Sequence, residues 1–155
     1  MNFLCSKNES DDILLKNRIE RKLLDKNDSV RIKFLPRADR NTFLNYMLNS
    51  DFLLDSMNWS GGNTHLEAIA MNIPVLTIQD KILRKNHTAG ILKRINMERL
   101  ISDNIDNYFK LIMKLSSDKI SLEEIKNEIN IKKNKLFFDS EAINSLEKFF
   151  LNNID

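Results

Sequence analysis

The stretch Trp59-Ser60-Gly61-Gly62-Asn63-Thr64-His65-Leu66-Glu67 constrains this chain more than any other. Phe52-Leu53-Leu54-Asp55 precedes it and Ile73-Pro74-Val75-Leu76-Thr77 follows, a pattern that reads as strand, tight turn, helix, strand. Two of the chain's three glycines stand side by side here, which permits positive φ and lets a ligand come close to the main chain. A helix opening near Asn63 aims unpaired N–H groups and its positive dipole end at whatever lies over the turn, which suits an anion and above all a phosphate. Glu67 follows Asn63 by one helical turn on the same face, where a carboxylate can accept hydrogen bonds from sugar hydroxyls. The same spacing also suits a plain strand-to-helix turn capped by Asn63 or Thr64. A glycine turn alone does not separate the two.

Composition narrows the classes. A chain of 155 residues, 42% apolar and 30% charged, fits one globular domain with a true core. A net charge of +2 with no dense basic run argues against nucleic acid. Cys5 is the lone cysteine, so no disulfide framework or metal-site spacing exists, and two histidines, His65 and His87, are too few for a histidine-rich metal centre. No apolar run reaches the length of a membrane span, and no signal-peptide core precedes Lys7 and the pair Asp11-Asp12. The expectation is a cytoplasmic protein with no metal, membrane or nucleic-acid partner.

In chain order, Asn2 to Cys5 reads as a strand that starts almost at Met1, as though the chain opened inside a larger fold. Residues 10 to 25 read as a helix capped by Ser10, with Leu15, Ile19 and Leu23 as its stripe. Val30 to Leu35 alternates as a second strand. Asp39 caps a helix that turns Phe43, Leu44, Met47 and Leu48 inward. Strands at 52–55 and 73–78 flank the glycine turn, and a basic loop with Lys81, Arg84 and Lys85 leads to a helix from His87 to about Ile95. This alternation implies right-handed crossovers and a parallel sheet. After a short apolar piece at Leu100-Ile101 the chain is helical. Ile105, Tyr108, Phe109, Ile112 and Leu115 form one stripe, Ser121-Leu122-Glu123-Glu124 has the form of a capping box before Ile125 and Ile129, and Ile143, Leu146, Phe149 and Phe150 form the last stripe, expected in the core.

Phe34-Leu35-Pro36-Arg37-Ala38-Asp39-Arg40, Asp51 to Asp55, Trp59 to Thr64, Leu66-Glu67-Ala68-Ile69-Ala70 and Ile73 to Thr77 together resemble the C-terminal catalytic region of the O-linked N-acetylglucosaminyltransferase family, in its bacterial SPINDLY-like branch. Arg84, His87 and Thr88 in the basic loop and the ending Leu136-Phe137-Phe138-Asp139 extend the likeness, which covers roughly residues 30 to 155. The resemblance implies half of a GT-B glycosyltransferase. A Rossmann-like nucleotide-sugar-binding domain over 1–103, partial and missing its first strand, would carry a helical segment over 104–155 packed on the same domain. It implies a UDP-sugar as ligand, UDP-N-acetylglucosamine, transferred to Ser or Thr of proteins without a metal. Gly61, Gly62, Asn63 and Thr64 would meet the diphosphate, Glu67 the ribose, and Arg40 and Phe43 the uracil. Animal members carry Asp at the position of Glu67, and Lys and His at those of Arg40 and Phe43, so Phe43 can stack on a base without repeating the histidine's hydrogen bonds.

The departures bear on activity. The resemblance implies that the family's diphosphate-neutralising lysine, its N-terminal half and the helical repeats that choose protein substrates correspond to nothing within these 155 residues. The isolated chain is therefore expected to be inactive alone, with a separate N-terminal half or a homo-oligomer completing the cleft. The other readings are a truncated non-catalytic remnant and a sugar-nucleotide-binding module. Arg37, Arg84 and His87 stand where they can touch phosphate or sugar, or simply be solvated. His65 reads as a bystander, Asp55 as a brace for the loop, Trp59 as a cap on the core and Cys5 as buried. Neither histidine has a carboxylate partner recognisable in sequence, so no Ser/His/Asp arrangement is expected.

Overall fold

Short apolar runs alternating with helical periods give five strands and eight α-helices among the described residues. The computed structural model describes residues 1–5, 8–24, 32–137 and 139–153, without the side chains of 22–24. The chain forms two units, Met1–Asn45 and Tyr46–Asp155.

In the first unit, β1 (Asn2–Leu4) and β2 (Lys33–Leu35) pair in parallel, with Phe3 opposite Phe34 and their rings stacked at 5.6 Å. Backbone bonds from Lys33 to the Met1 carbonyl and from Cys5 to that of Leu35 extend the ladder at both ends. The helix between them, α1 (Glu9–Leu24), is capped by Asn8, not Ser10: the Asn8 Oδ1 accepts from the Ser10 N–H at 3.2 Å. Its expected stripe is not buried as a stripe, since Leu15 is exposed and Ile19 half-buried. Sixteen helical residues extend about 24 Å. Two strands of three residues offer about 10 Å to cover them. The Leu23 side chain and the residues Val30 and Arg31 lie outside what is described. Cys5 is half-buried, and partial desolvation and the neighbouring Asp12 push its thiol pKa up. Asp39 does cap α2 (Arg40–Leu48), accepting from the Thr42 N–H at 2.8 Å.

In the second unit Met47 is buried but Leu48, about 100° further round the helix, is exposed. Three parallel strands follow in the order β3-β4-β5: β3 (Leu53–Leu54), β4 (Val75–Ile78) and β5 (Ile101–Ser102). Leu53 faces Val75 and Thr77 faces Ile101 across the ladders. The central strand is covered on both faces, as parallel strands require, and Val75 and Leu76 have no exposed surface. The crossovers are α3 (Asn63–Ala70) and α4 (His87–Arg94), with a 3₁₀ turn at Leu83–Lys85 inside the basic loop. Ala68, Ile69, Ala89, Leu92, Ile95, Met97 and Leu100 fill the core. Both helices end on asparagine in the left-handed region, Asn72 at φ 63° and Asn96 at φ 52°, the residue that tolerates this conformation next best after glycine.

Downstream, α5 (Ile105–Ser117) packs on β4 and β5, and α6 (Lys119–Lys132) on α3 and α5. Tyr108 and Leu115 are buried in α5, while Ile105 and Phe109 are exposed against expectation. The N-cap of α6 is Asp118, which accepts from the Ser121 N–H at 3.0 Å, so the helix opens before the presumed capping box; Ile125 and Ile129 are buried as expected. After α7 (Asn134–Phe137), α8 (Glu141–Asn153) carries Ile143, Leu146, Phe149 and Phe150 exposed rather than in the core. Periodicity marks a face that favours burial. It does not say that the chain itself supplies the cover, and here the interior is already filled by residues of α3 to α6.

Candidate functional site

The site is built at the carboxyl end of β3. The Asp55 N–H bonds the Leu76 carbonyl at 2.9 Å, prolonging the β3–β4 ladder by one residue and setting the side chain in the interior, 8% exposed. Its Oδ1 accepts from the N–H groups of Ser56 at 2.8 Å and Gly61 at 3.0 Å. Its Oδ2 accepts from the hydroxyls of Ser60 and Thr77, both at 2.7 Å. Four donors on one carboxylate fasten the loop back to the sheet. The bracing role expected of Asp55 is what the structure shows.

From this brace a buried polar chain crosses to α4. Ser60 Oγ lies 2.8 Å from Thr88 Oγ1 and accepts from the Thr88 N–H at 2.9 Å. Thr88 Oγ1 also lies 2.5 Å from His65 Nδ1, and that nitrogen is 3.7 Å from Asp55 Oδ1. His65 therefore has the carboxylate neighbour that its sequence surroundings do not reveal, and it is part of the buried polar chain. The cluster is not a nucleophilic triad, because Ser60 is 1% exposed and already donates to Asp55.

The glycines act differently from expectation. Neither Gly61 nor Gly62 has positive φ. Gly61 is required because a Cβ there would stand 2.5–2.7 Å from three atoms of the His65 ring. A Cβ on Gly62 would meet nothing within 4 Å, so its bare Cα faces open space. Gly62 is the N-cap of α3, and its carbonyl accepts from the N–H groups of His65 and Leu66. No side chain caps α3; neither Asn63 nor Thr64 takes that part, and both are exposed. The α4 N-cap, Asn86, likewise makes no side-chain cap bond, its Oδ1 accepting instead from the Asp80 N–H.

Burial, the larger influence, holds the His65 pKa below its ordinary 6.5, against the opposing pull of Asp55 and the Gly61 carbonyl. Tyr108, whose hydroxyl donates to the Leu76 carbonyl at 3.3 Å, is pushed up to about 12 by burial and then by the Asp55 charge. The His65 shift has a consequence for folding. Between its folded and unfolded pKa values the unfolded chain binds a proton that the folded chain refuses, so stability rises with pH there. Stability from this residue is complete above about pH 6.5 and falls as the pH drops below it. Denaturation midpoints at pH 7.5 and 5.5 are expected to differ more in the wild type than in His65→Gln.

The other sequence-derived site residues fall into two sets. Arg37, Arg40 and Phe43 belong to the first unit, beyond the carboxyl end of β2, with both arginines exposed and Phe43 half-buried. Gly61, Gly62, Asn63, Thr64 and Glu67 belong to the second, as do Arg84 and His87. The Ser60 N–H bonds the Arg84 carbonyl at 2.9 Å, which brings the basic loop against the glycine turn. His87 opens α4 beside Thr88 and is exposed, as is the Arg84 side chain. Glu67 is half-buried on α3. Trp59 does not cap the core: it is 66% exposed at the edge of the turn. Sequence reasoning missed Ser60, Thr77 and Thr88. The one available signal was Thr77, a hydroxyl residue inside the otherwise apolar run Val75 to Ile78; Ser60 and Thr88 stand in polar surroundings that give no such mark. Among the described residues no group of three or more His, Cys, Asp or Glu is placed to hold a metal ion, and no helix is long and apolar enough to cross a membrane.

No family profile matches the chain. Its curated relatives are plant proteins named "Probable UDP-N-acetylglucosamine–peptide N-acetylglucosaminyltransferase SPINDLY". The barley protein is 27% identical over 104 residues, 66% of this chain and 11% of the relative. The Petunia hybrida protein is 29% identical over 76 residues, 49% of this chain and 8% of the relative. Among solved structures, a lysine-to-methionine mutant of the O-GlcNAc transferase of Thermobaculum terrenum superposes with a TM-score of 0.73 at 22% identity, over 85% of this chain and 27% of that one. The chain thus spans about a tenth of the length of the curated relatives it matches. Sequence and fold agree with the resemblance drawn from the motifs: the likeness is to the C-terminal part of O-GlcNAc transferases, with the α/β, parallel-sheet architecture of their GT-B fold.

Proposed function

We propose that this chain is the donor-binding part of a glycosyltransferase of the O-GlcNAc transferase type, and that it holds a UDP-sugar, UDP-N-acetylglucosamine, for transfer to Ser or Thr hydroxyls of proteins. The observation that carries the reading is the agreement of two independent likenesses. The sequence relatives are named for UDP-N-acetylglucosamine and a peptide acceptor, and the structural neighbour is an O-GlcNAc transferase. The local geometry supports it. The turn sits at the carboxyl edge of parallel strands, where ligands of open α/β sheets bind, and the first turns of two helices meet there through the His65–Thr88 contact. Their N–H groups and dipoles favour an anion. Gly62 leaves room for a diphosphate to reach the backbone, and Glu67, one turn on, is the acceptor for ribose hydroxyls. Arg84 and His87, in the loop and helix start beside the turn, are assigned to phosphate or sugar.

Transfer also needs a positioned acceptor and charge stabilisation on the leaving diphosphate. A chain matching 27% of its structural neighbour supplies the donor side of such a cleft. The acceptor side falls to the remaining part of the fold, on this or another chain.

Calorimetric titration of the folded chain with UDP, and with ADP as control, tests the reading. Saturable binding of UDP in preference to ADP is the expected result; no binding of either overturns it. Two variants place the ligand. Glu67→Ala should weaken UDP binding by about 1–3 kcal/mol, the worth of a charge-assisted hydrogen bond, and unchanged affinity would remove Glu67 from the site. Gly62→Ala should lower the melting temperature only slightly, by the poorer N-cap alone, since its Cβ meets nothing, while lowering affinity for UDP. A variant that binds as tightly as the wild type would put the phosphates elsewhere.

A further inference from the structure

The contact between His65 and Thr88 does more than fill space. His65 stands in the first turn of α3 and Thr88 in the first turn of α4, so their bond joins the two helix starts across 23 residues of sequence. The hydrogens along the chain can be assigned one by one. The Asp55 carboxylate only accepts, so the Ser60 hydroxyl gives its single hydrogen to Oδ2. Ser60 Oγ is then an acceptor for both the N–H and the hydroxyl of Thr88. Giving the Thr88 hydroxyl hydrogen to Ser60 leaves a hydrogen in every contact of the chain and turns an Oγ1 lone pair to His65 Nδ1; given instead to the Gly61 carbonyl at 3.3 Å or to Nδ1 itself, it would leave the 2.8 Å pair of hydroxyl oxygens with none. With Asp55 Oδ1 3.7 Å from that nitrogen, Nδ1 is surrounded by acceptors. It is the ring nitrogen that carries the proton. The ring itself lies against the Gly61 Cα, where no larger residue leaves it room.

We propose that His65, acting through Thr88, is a positioning residue: held as the Nδ1–H tautomer by the Asp55–Ser60–Thr88 chain, it locks the first turns of α3 and α4 together and so fixes the paired helix N-termini that receive the nucleotide's phosphates. The phosphate half of this proposal rests on the UDP-binding reading above. The lock itself rests on the contacts alone. It assigns α4, through Thr88, a share in the site that the glycine turn does not reveal.

The test combines a spectroscopic signature with a binding measurement on the intact chain. Long-range ¹H–¹⁵N spectra of His65 should show a protonated Nδ1 and a bare Nε2. Thr88→Val keeps the shape of the side chain and removes its hydroxyl. It should abolish that tautomer preference, speed amide exchange at Gly61, and raise the Kd for UDP about tenfold, the worth of one net hydrogen bond. Thr88→Ser should restore all three. A wild-type Nε2–H tautomer overturns the proposal even if Thr88→Val does not fold, and so does a folded Thr88→Val with unchanged Gly61 exchange and UDP affinity. If the folded wild type binds no UDP, the nucleotide reading and the phosphate half fall together. Tautomer and exchange then still decide whether the lock exists.

Discussion

Asp55→Ala is expected to be the most damaging single substitution in the second unit, lowering stability by about 3–5 kcal/mol. The carboxylate receives two backbone N–H groups and two hydroxyls, and Ser60 and Thr77 are each 1% exposed. Alanine leaves four donors without their acceptor. Each orphaned buried donor costs roughly 1–3 kcal/mol, less whatever an entering water recovers. In a chain of this size the melting temperature should fall on the order of 10 °C. Asp55→Asn separates the donors. An amide oxygen at the Oδ1 position still serves Ser56 and Gly61, and its NH₂ can donate to the Ser60 and Thr77 hydroxyls, which are able to reverse their roles. The asparagine variant should therefore lose only about 1 kcal/mol. If thermal melts show equal losses for Ala and Asn, the charge rather than the hydrogen-bond geometry is what holds the turn.

Gly61→Ala comes second, at about 1–3 kcal/mol from overpacking. The added methyl would stand 2.5 Å from the His65 Cε1, and the ring cannot swing aside while Thr88 and Asp55 hold it in the interior. The signature of this cause is non-additivity. In Gly61→Ala/His65→Ala the ring is gone, the methyl has room, and the double variant should be more stable than the sum of the two single losses implies. Strict additivity in denaturant titrations would show that the main chain, not the ring, makes alanine costly at Gly61.

Much of the scaffold was legible in the residues. Leu53-Leu54 and Val75 to Ile78 are strands because their side chains are apolar on both faces, and a glycine turn between such runs leaves little but a βαβ unit. Asp55 could be read as a brace because a carboxylate ending a buried strand has to find donors nearby. The link from His65 to Thr88 could not be read, because only tertiary packing brings the start of one crossover helix against another. For the same reason a reasonable inference from glycine's φ freedom missed the cause, which is the imidazole lying on Gly61. Asn72 and Asn96 carried a signal that was available: asparagine just beyond a helical period is a common left-handed terminator. The exposure of Phe149 and Phe150 was not available, since a stripe in the sequence carries no record of what covers it.

The exposure of Trp59 has a practical consequence. It is the chain's one tryptophan, 66% exposed and two residues from Gly61. The intrinsic fluorescence of the protein is therefore that of a hydrated indole at the rim of the glycine turn. A molecule settling there would shift or quench the emission without any attached dye, giving a label-free optical readout of occupancy. The same wetness makes that emission a poor monitor of denaturation, because the indole moves from water to water as the chain unfolds.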